Sequence, residues 1–150
     1  SDWMLEVVVR TLTVIEAKGL AAPVLINLYH KLSIEYESLR WAVGNAMTKV
    51  MTDSDITEVL SIVKNPDNGT SRQMFVYALA KFKKWKPTIE PVLIPLLEQD
   101  DVRGHTIYTL GHLQSQTARA KIETFVNHPI TYIRKEARKA LERIDKPLKK

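Results

Sequence analysis

The sequence predicts an all-α fold, and three observations support this class. Glycine is scarce, with 5 in 150 residues, and β-branched residues never alternate with polar ones in the sustained period of two that marks a strand. Apolar residues recur instead at spacings of three and four, which places them on one face of a helix. The chain is long enough to bury a core, and 45% hydrophobic with 26% charged residues is typical of a globular protein.

Caps and breaks divide the chain into nine predicted helices. Asp2 can cap the first and Gly19 closes it, while Pro23 and Pro87 stand where the first turn of a helix tolerates proline. The segment NPDNGTS, residues 65–71, is a clear break between helices. The predicted helices span about 2–18, 23–32, 37–51, 55–64, from the break to 84, 87–98, 102–113, 117–126 and 130–144.

These helices pair with a period of about 31 residues. Arg40, Arg72, Arg103 and Arg134 are separated by 32, 31 and 31 positions. A small residue follows each arginine by six positions, and large apolar residues follow by seven and ten, so neighbouring helices can approach closely. The period predicts an α–α superhelix of about four to five helical hairpins. The residues at these positions are Ala46, Ala78, Thr109 and Ala140, then Met47, Leu79, Leu110 and Leu141, then Val50, Phe82, Leu113 and Ile144.

The period also predicts the domain organisation, with a single domain over residues 1–150. Residues 1–35 form an atypical N-terminal capping pair, because Glu16 and Ala17 occupy its packing positions. The remaining segments are repeats at 36–66, 67–99 and 100–129, a C-terminal helix at 130–144 and a fraying tail at 145–150.

The segments VRGHTIYTLGHL and IRKEARKALERI resemble HEAT repeats, in particular the short HEAT-like repeats first described in phycobilin lyases. The resemblance covers about residues 36–144 and implies an α-solenoid. Its Val/Ile-Arg pair is matched by Val102-Arg103 and Ile133-Arg134, and its later Leu-Gly by Leu110-Gly111. The aspartate that the family places about six residues before the arginine is replaced in this chain. Pro66, Leu97 and His128 stand at that spacing, with Asp67, Asp100 and Asn127 close by.

Composition narrows the compartment and the chemistry. The absence of cysteine excludes disulfides and thiolate zinc sites and fits a reducing compartment, and no apolar run is long enough to span a bilayer. We therefore expect a cytoplasmic protein. The net charge of +5 is uneven: residues 1–75 hold 7 Lys/Arg against 9 Asp/Glu, and residues 76–150 hold 15 against 8. The basic second half is suited to an acidic partner, either protein or nucleic acid.

Two histidines raise the possibility of a metal site. His105 and His112 lie seven residues apart on one predicted helix, about two turns or ~10 Å apart, which is too far for one ion. Neither belongs to an HExxH motif, so we expect no metal and no cofactor. The position of His112, nine after Arg103, holds Lys49, Lys81 and Arg143 in the other repeats. We therefore interpret both histidines as surface residues.

The segment KFKKWK, residues 81–86, is the densest basic and aromatic cluster. Phe82 falls on the buried phase of the repeat and is predicted to be core. Lys84, Trp85 and Lys86 stand at a helix end, where cations complement the carbonyl end of the helix dipole. Alternatively, Trp85 packs on a partner or stacks on a base while the lysines neutralise its negative charge.

Three further residues complete the candidate binding set. Trp41 occupies a position that is polar or small in the other repeats, so it is either an exposed interface anchor or a cover for the first helix pair. Arg119 lies on a predicted second helix, the class of helix that lines the concave side of HEAT-like solenoids. Arg138 belongs to a last helix whose basic face is also expected of a terminal repeat.

The leading functional hypothesis is a non-enzymatic HEAT-like scaffold that binds a protein partner through its concave face or edge helices. No nucleophile–base arrangement is recognisable in the sequence. One alternative is a DNA-binding protein related to the HEAT-like alkylpurine DNA glycosylases, which the basic second half and three tryptophans support. A second alternative, resting on the resemblance alone, is a lyase or chaperone for a chromophore. The identity of the partner and the oligomeric state stay open.

Overall fold

A computed structural model describes Trp3, Leu5, Glu6, Val9 and residues 20–148. All regular secondary structure in this part of the chain is helical, without a β-strand, which confirms the all-α prediction. The described residues contain eight α-helices rather than nine, and the predicted helix 2–18 lies largely outside them. The eight are α1 (Ala21–Lys31), α2 (Glu37–Val50), α3 (Ile56–Lys64), α4 (Gln73–Ala78), α5 (Lys86–Leu93), α6 (Arg103–His112), α7 (Arg119–Glu123) and α8 (Thr131–Ile144).

Several predicted helices are shorter than expected, and two continue as 3-10 turns. Instead of one helix to residue 84, α4 is followed by turns at Leu79–Lys81 and Lys83–Trp85. α5 gives way to a 3-10 segment at Ile94–Glu98. Pro95 has no N–H to donate to the carbonyl of Pro91 four residues earlier, so the α-helical hydrogen-bond pattern cannot continue there. The predicted helix 117–126 is reduced to the five residues of α7.

The chain divides into two compact units, Ser1–Ala78 and Leu79–Lys150. In the first unit α2 packs against α4. A Cβ added at Gly44 would lie 3.0 Å from the Phe75 ring, so the glycine permits this close approach. Tyr29 of α1 meets Phe75 edge-on, with ring centroids 4.8 Å apart, which joins α1 to the same core. The prediction of a single domain over 1–150 stays a prediction.

In the second unit α6 packs against α8 at backbone contact distance. A Cβ on Gly111 would lie 2.7 Å from the Cβ of Ala140 and 2.8 Å from its Cα. Ile107 and Leu110 of α6 are fully buried. Only glycine fits at position 111 without displacing the backbone of α8.

The residues at the predicted packing positions are mostly buried. The small ones are exposed by 3% or less: Ala46, Ala78, Thr109 and Ala140. Of the large ones, those buried are Met47, Val50, Leu79, Leu110, Leu113 and Ile144. Leu141 and Phe82 are half-buried, so the prediction of Phe82 as core is wrong. Its backbone (φ −96°, ψ 58°) leaves the helical region, which takes the side chain off the helix phase used for the prediction.

The four periodic arginines donate hydrogen bonds to main-chain carbonyls that precede them by six to nine residues. Arg40 Nη1 lies 2.9 Å from the oxygen of Leu32, the residue that follows α1. Arg72 Nη1 lies 3.1 Å from the oxygen of Val63 in the last turn of α3. Arg40 is only 6% exposed and Arg72 is completely buried.

The same arrangement recurs in the second unit. Arg103 Nε lies 2.8 Å from the oxygen of Leu97, and Arg134 Nη1 lies 2.9 Å from the oxygen of His128. Both acceptors stand six residues before the arginine. Arg103 also pairs with Asp100 at 2.7 Å. Val63 is the one acceptor of the four that lies in the last turn of an α-helix. Such a carbonyl lacks an intrahelical partner and carries the negative end of the helix dipole, so the Arg72 guanidinium stabilises it on both counts.

Candidate functional site

Trp41 is held by α4 and is half-buried. Its indole Nε1 donates a hydrogen bond of 3.2 Å to Gln73 Oε1. Gln73 follows Arg72 as Trp41 follows Arg40, so the bond joins two residues that hold the same place in the arginine period. The indole N–H is therefore already engaged within the first unit.

The cluster at residues 84–86 separates into exposed and engaged side chains. Trp85 is 41% exposed and Lys84 is exposed beside it, in the Lys83–Trp85 turn. Lys86 instead donates to the main-chain oxygen of Gln114 at 2.9 Å and lies 4.0 Å from a Glu90 carboxylate oxygen. Of residues 84–86, Lys84 and Trp85 are thus the two with exposed side chains.

Arg119 and Arg138 both connect α8 to the region of α7. Arg119 makes a two-pronged contact with Asp145, Nε to Oδ1 at 2.7 Å and Nη2 to Oδ2 at 3.0 Å. This hydrogen-bonded pairing lowers the pKa of Asp145 below its ordinary value. Arg138 Nη2 donates to the oxygen of Val126 at 3.2 Å. Both arginines therefore contribute to the packing of the second unit, and Asp145, predicted to belong to a fraying tail, is held by one of them.

The prediction that both histidines are surface residues is wrong, because His105 and His112 are half-buried. Burial lowers the pKa of each below the usual histidine value. Among the described residues, no group of three or more His, Asp or Glu side chains could hold a metal ion. The ring of His112 packs on Tyr108 with centroids 4.3 Å apart. His112 also lines a cleft.

This cleft has a volume of about 400 Å³ and lies in the second unit, beside the ends of α6 and α8. We call it the basic cleft, because Lys83, Arg143 and Lys146 line it and none of its lining residues is acidic. The lining residues are Lys83, Gly111, His112, Gln114, Arg143, Lys146 and Pro147.

Gln114 joins the two helix ends that frame the basic cleft. It follows α6 with φ of +53°, a left-handed conformation that non-glycine residues seldom adopt. Its side-chain Nε2 donates to the oxygens of Arg143 at 2.8 Å and Lys146 at 3.3 Å. Hydrogen bonds from the Gln114 side chain to the main chain at the end of α8 therefore frame the cleft.

Two nitrogen atoms at the basic cleft are buried and have no hydrogen-bond partner among the described residues, Arg143 Nη1 and His112 Nε2. The guanidinium carbon of Arg143 lies 5.6 Å from the centre of the Tyr108 ring, the same ring that His112 packs on. The positive charges of Arg143 and Lys83 add to burial in lowering the pKa of His112. The arrangement concentrates cationic and hydrogen-bonding groups that lack a protein acceptor.

The sequence contained a signal for this cleft. His112 and Arg143 both stand nine positions after a periodic arginine, and Lys83 and Gln114 both stand eleven positions after one. Polarity at the ninth position predicted a solvent-facing row of side chains. The packing of α6 on α8 instead brings polar residues that follow different periodic arginines to one cleft.

A second cavity, of about 260 Å³, lies in the first unit and has the opposite character. Glu6, Glu35 and Glu37 line it together with Tyr36, Ser38, Leu39 and Ala42. The acidic cavity thus lies in the half of the chain with more acidic residues, and the basic cleft lies in the half with more basic residues.

Comparisons with known proteins identify no relative: no family model, no curated protein and no solved structure matches this chain. Within the described residues, every helix is too short or too polar to cross a membrane. The function is therefore inferred from the residues and their geometry.

Proposed function

We propose that this chain is a HEAT-like α–α superhelix that binds an acidic segment of a protein partner on its second unit, without catalysing a reaction. The observation that carries the proposal is the basic, partly apolar surface at Lys84 and Trp85, within a unit that holds 15 Lys/Arg against 8 Asp/Glu over residues 79–150. Such a surface attracts carboxylates through charge and anchors a partner through an exposed aromatic ring.

The superhelix is supported by equivalence between repeats. The four arginines, at intervals of 31 or 32 residues, all donate to main-chain carbonyls that precede them by six to nine positions. Adjacent repeats also contact each other through their first helices, α2 with α4 and α6 with α8. Stacked hairpins of this kind bury a continuous core and leave their loops and edge helices available for binding.

A binding role is further supported by the way in which buried polar groups are used. Arg72 is completely buried but donates to the carbonyls of Gly69 and Val63. Asp55 is 5% exposed and accepts a hydrogen bond of 2.8 Å from the backbone N–H of Thr52, where it caps a turn. These buried groups serve the fold, so the exposed basic surface is the best candidate for function.

The last helix, α8, adds further exposed cations to the second unit. Lys135, Arg138 and Lys139 are exposed along it, and Tyr132 is 47% exposed at its start. Acidic side chains on a partner would neutralise these cations and raise the association rate. On this proposal the partner contacts edge positions of the second unit, and a cytoplasmic location remains our prediction from the lack of cysteine.

Affinity capture with matched variants tests this proposal. The bait is the full chain, offered to a lysate of its native host, beside Lys84→Glu and Trp85→Ala. The matched control is Lys64→Glu, which makes the same charge change on an exposed lysine of the first unit. We expect one protein partner to be retained by the parent and by Lys64→Glu, and to be depleted by about tenfold or more with either variant at the proposed surface. Equal recovery by all four baits would remove this surface from the interface.

Duplex DNA is the second candidate partner, favoured by the same excess of positive charge. A salt titration separates the two, because each neutralised phosphate adds about 0.9 to the slope of log K against log salt. We expect no more than nonspecific affinity, with Kd on the order of 1–100 μM at physiological salt. A Kd below about 0.1 μM with a slope of several units would favour the DNA-binding function instead.

A further inference from the structure

We propose that the basic cleft binds a phosphate monoester, as a site distinct from the exposed surface at Lys84 and Trp85. The inference stands on the geometry of the cleft and does not depend on the proposed protein partner. Three observations support it: nitrogen atoms without a hydrogen-bond partner, the positive charge of the lining residues, and carbonyls at the end of α8 that already accept hydrogen bonds from other residues.

The first step concerns hydrogen-bond donors. Arg143 Nη1 and His112 Nε2 are buried at the cleft without a partner in the described part of the chain. A buried donor without an acceptor is costly, and an oxyanion supplies several acceptor lone pairs at once. A guanidinium is planar, and its fork of N–H donors matches the oxygens of a phosphate. Arg143 is also held in place, because its guanidinium lies over the Tyr108 ring.

The second step concerns charge. Lys83, Arg143 and Lys146 bring three positive charges to the cleft, with no carboxylate among the lining residues. A carboxylate ligand would neutralise one of them, whereas a phosphate monoester carries about −1.5 to −2 charges at neutral pH. The dianion is therefore the better electrostatic match to this lining.

The third step excludes a simpler role for these cations. Lysine and arginine at the end of a helix often stabilise its free carbonyls. At the end of α8, however, the oxygen of Arg143 accepts from Gln114 Nε2 and the oxygen of Ile144 accepts from Gln116 Nε2, at 2.8 and 2.9 Å. Neutral amides thus already satisfy these carbonyls, which leaves the cations available to a ligand.

The size of the cleft fits a small phosphorylated ligand. Its volume of about 400 Å³ is near the lower end of the range of about 300–1,000 Å³ that is usual for small-molecule sites. A phosphorylated metabolite and a phosphorylated side chain of a protein present the same group. Glycerol 3-phosphate and a short peptide that carries phosphoserine are therefore the two probes that distinguish these sources.

Calorimetric titration of the full chain with each probe tests the site, with acetate at matched ionic strength as the carboxylate reference. We expect saturable binding of both phosphates and weaker binding of acetate. Arg143→Gln should reduce phosphate affinity by about tenfold, the loss expected for a charge-assisted hydrogen bond. The matched control is Arg138→Gln, the same change on the same helix away from the cleft lining, and it should leave affinity unchanged.

Two further measurements distinguish a loss of phosphate binding from a loss of folding. Lys83→Gln changes an exposed turn residue, so it should retain the fold and weaken phosphate binding by about two- to fivefold. Amide NMR shifts of Gly111 and Gln114 should move saturably with either probe. Tighter binding of the phosphoserine peptide than of glycerol 3-phosphate would point to a phosphorylated side chain, and the reverse order to a free phosphorylated molecule.

The proposal would be overturned by affinities weaker than on the order of 10 mM for both probes. It would equally be overturned if Arg143→Gln and Arg138→Gln bound phosphate alike while both remained folded. Neither result would affect partner capture at Lys84 and Trp85, so the two proposals fail independently.

Discussion

Replacing Arg72 with methionine removes a completely buried guanidinium while keeping a side chain of similar length. In the protein this guanidinium donates to Gly69 at 2.8 Å and to Val63 at 3.1 Å. Without it, the Val63 carbonyl at the end of α3 loses a donor in a place that water does not easily reach. We therefore expect a large loss of stability from a change that leaves apolar packing nearly intact.

The magnitude follows from those two bonds. A hydrogen bond from a charged donor contributes about 1.5–3 kcal/mol, so two contribute about 3–6 kcal/mol. Relief of the desolvation of a buried cation, together with burial of the methionine side chain, offsets part of this. We expect the free energy of unfolding to fall by about 2–4 kcal/mol. At the equivalent Arg134, which is half-buried, water can replace the guanidinium, and the same substitution should cost about 1 kcal/mol or less.

Urea unfolding followed by circular dichroism measures the difference. The matched control is Lys64→Met, which removes a neighbouring exposed cation from the same helix end and should change stability by less than about 0.5 kcal/mol. If Arg72→Met and Lys64→Met unfold at the same urea concentration with equal slopes, the stabilising role assigned to the periodic arginines is wrong.

Two further predictions concern α6. Gly111→Ala places a methyl group 2.7–2.8 Å from Ala140 atoms that include its Cα. The cost of overpacking, about 1–3 kcal/mol, should outweigh the gain in helix propensity of about 1 kcal/mol, so we expect the variant to be less stable. A raised melting temperature would refute this close contact. Burial lowers the pKa of His105 in the folded protein below the ordinary value of 6.5. Below about pH 6.5 the unfolded chain therefore binds the proton more readily than the folded protein does, and the free energy of unfolding decreases as the pH is lowered. His105→Gln should reduce the dependence of the free energy of unfolding on pH between about pH 5 and 7, as measured by urea unfolding at several pH values. If the variant and the parent show the same dependence on pH, the role assigned to His105 is wrong.

Local signals predicted much of the fold. Proline and glycine positions, with apolar spacing, located most helix starts to within a few residues, because caps and breaks act on the nearby backbone. The arginine period predicted which residues share an environment, and all four arginines bond to the same kind of acceptor. What failed was helix continuity after α4 and within 87–98, where Phe82 and Pro95 interrupt the regular hydrogen-bond pattern.

The candidate site was harder to predict, because its residues depend on partners about 30 positions away. Trp41 was expected to be exposed or to cover the first helix pair, but its indole bonds to Gln73 in the next repeat. The polar residues nine positions after the other periodic arginines predicted that His112 lies at the surface. In the structure His112 instead lines a cleft together with Arg143. A polar residue that recurs in every repeat indicates either solvent or a neighbouring polar residue, and only the packing distinguishes the two.

Duplicating one repeat tests the central claim, that consecutive 31-residue segments are equivalent stacked units. A second copy of the 31 residues 99–129, inserted after Pro129, should present α8 with the same packing surface that α6 provides in the parent chain. We expect the longer protein to keep its helical content per residue by circular dichroism, to unfold cooperatively and to gain in hydrodynamic radius. A loss of helical content or aggregation on refolding, while the parent refolds normally, would contradict the repeat architecture and the functional proposals built on it.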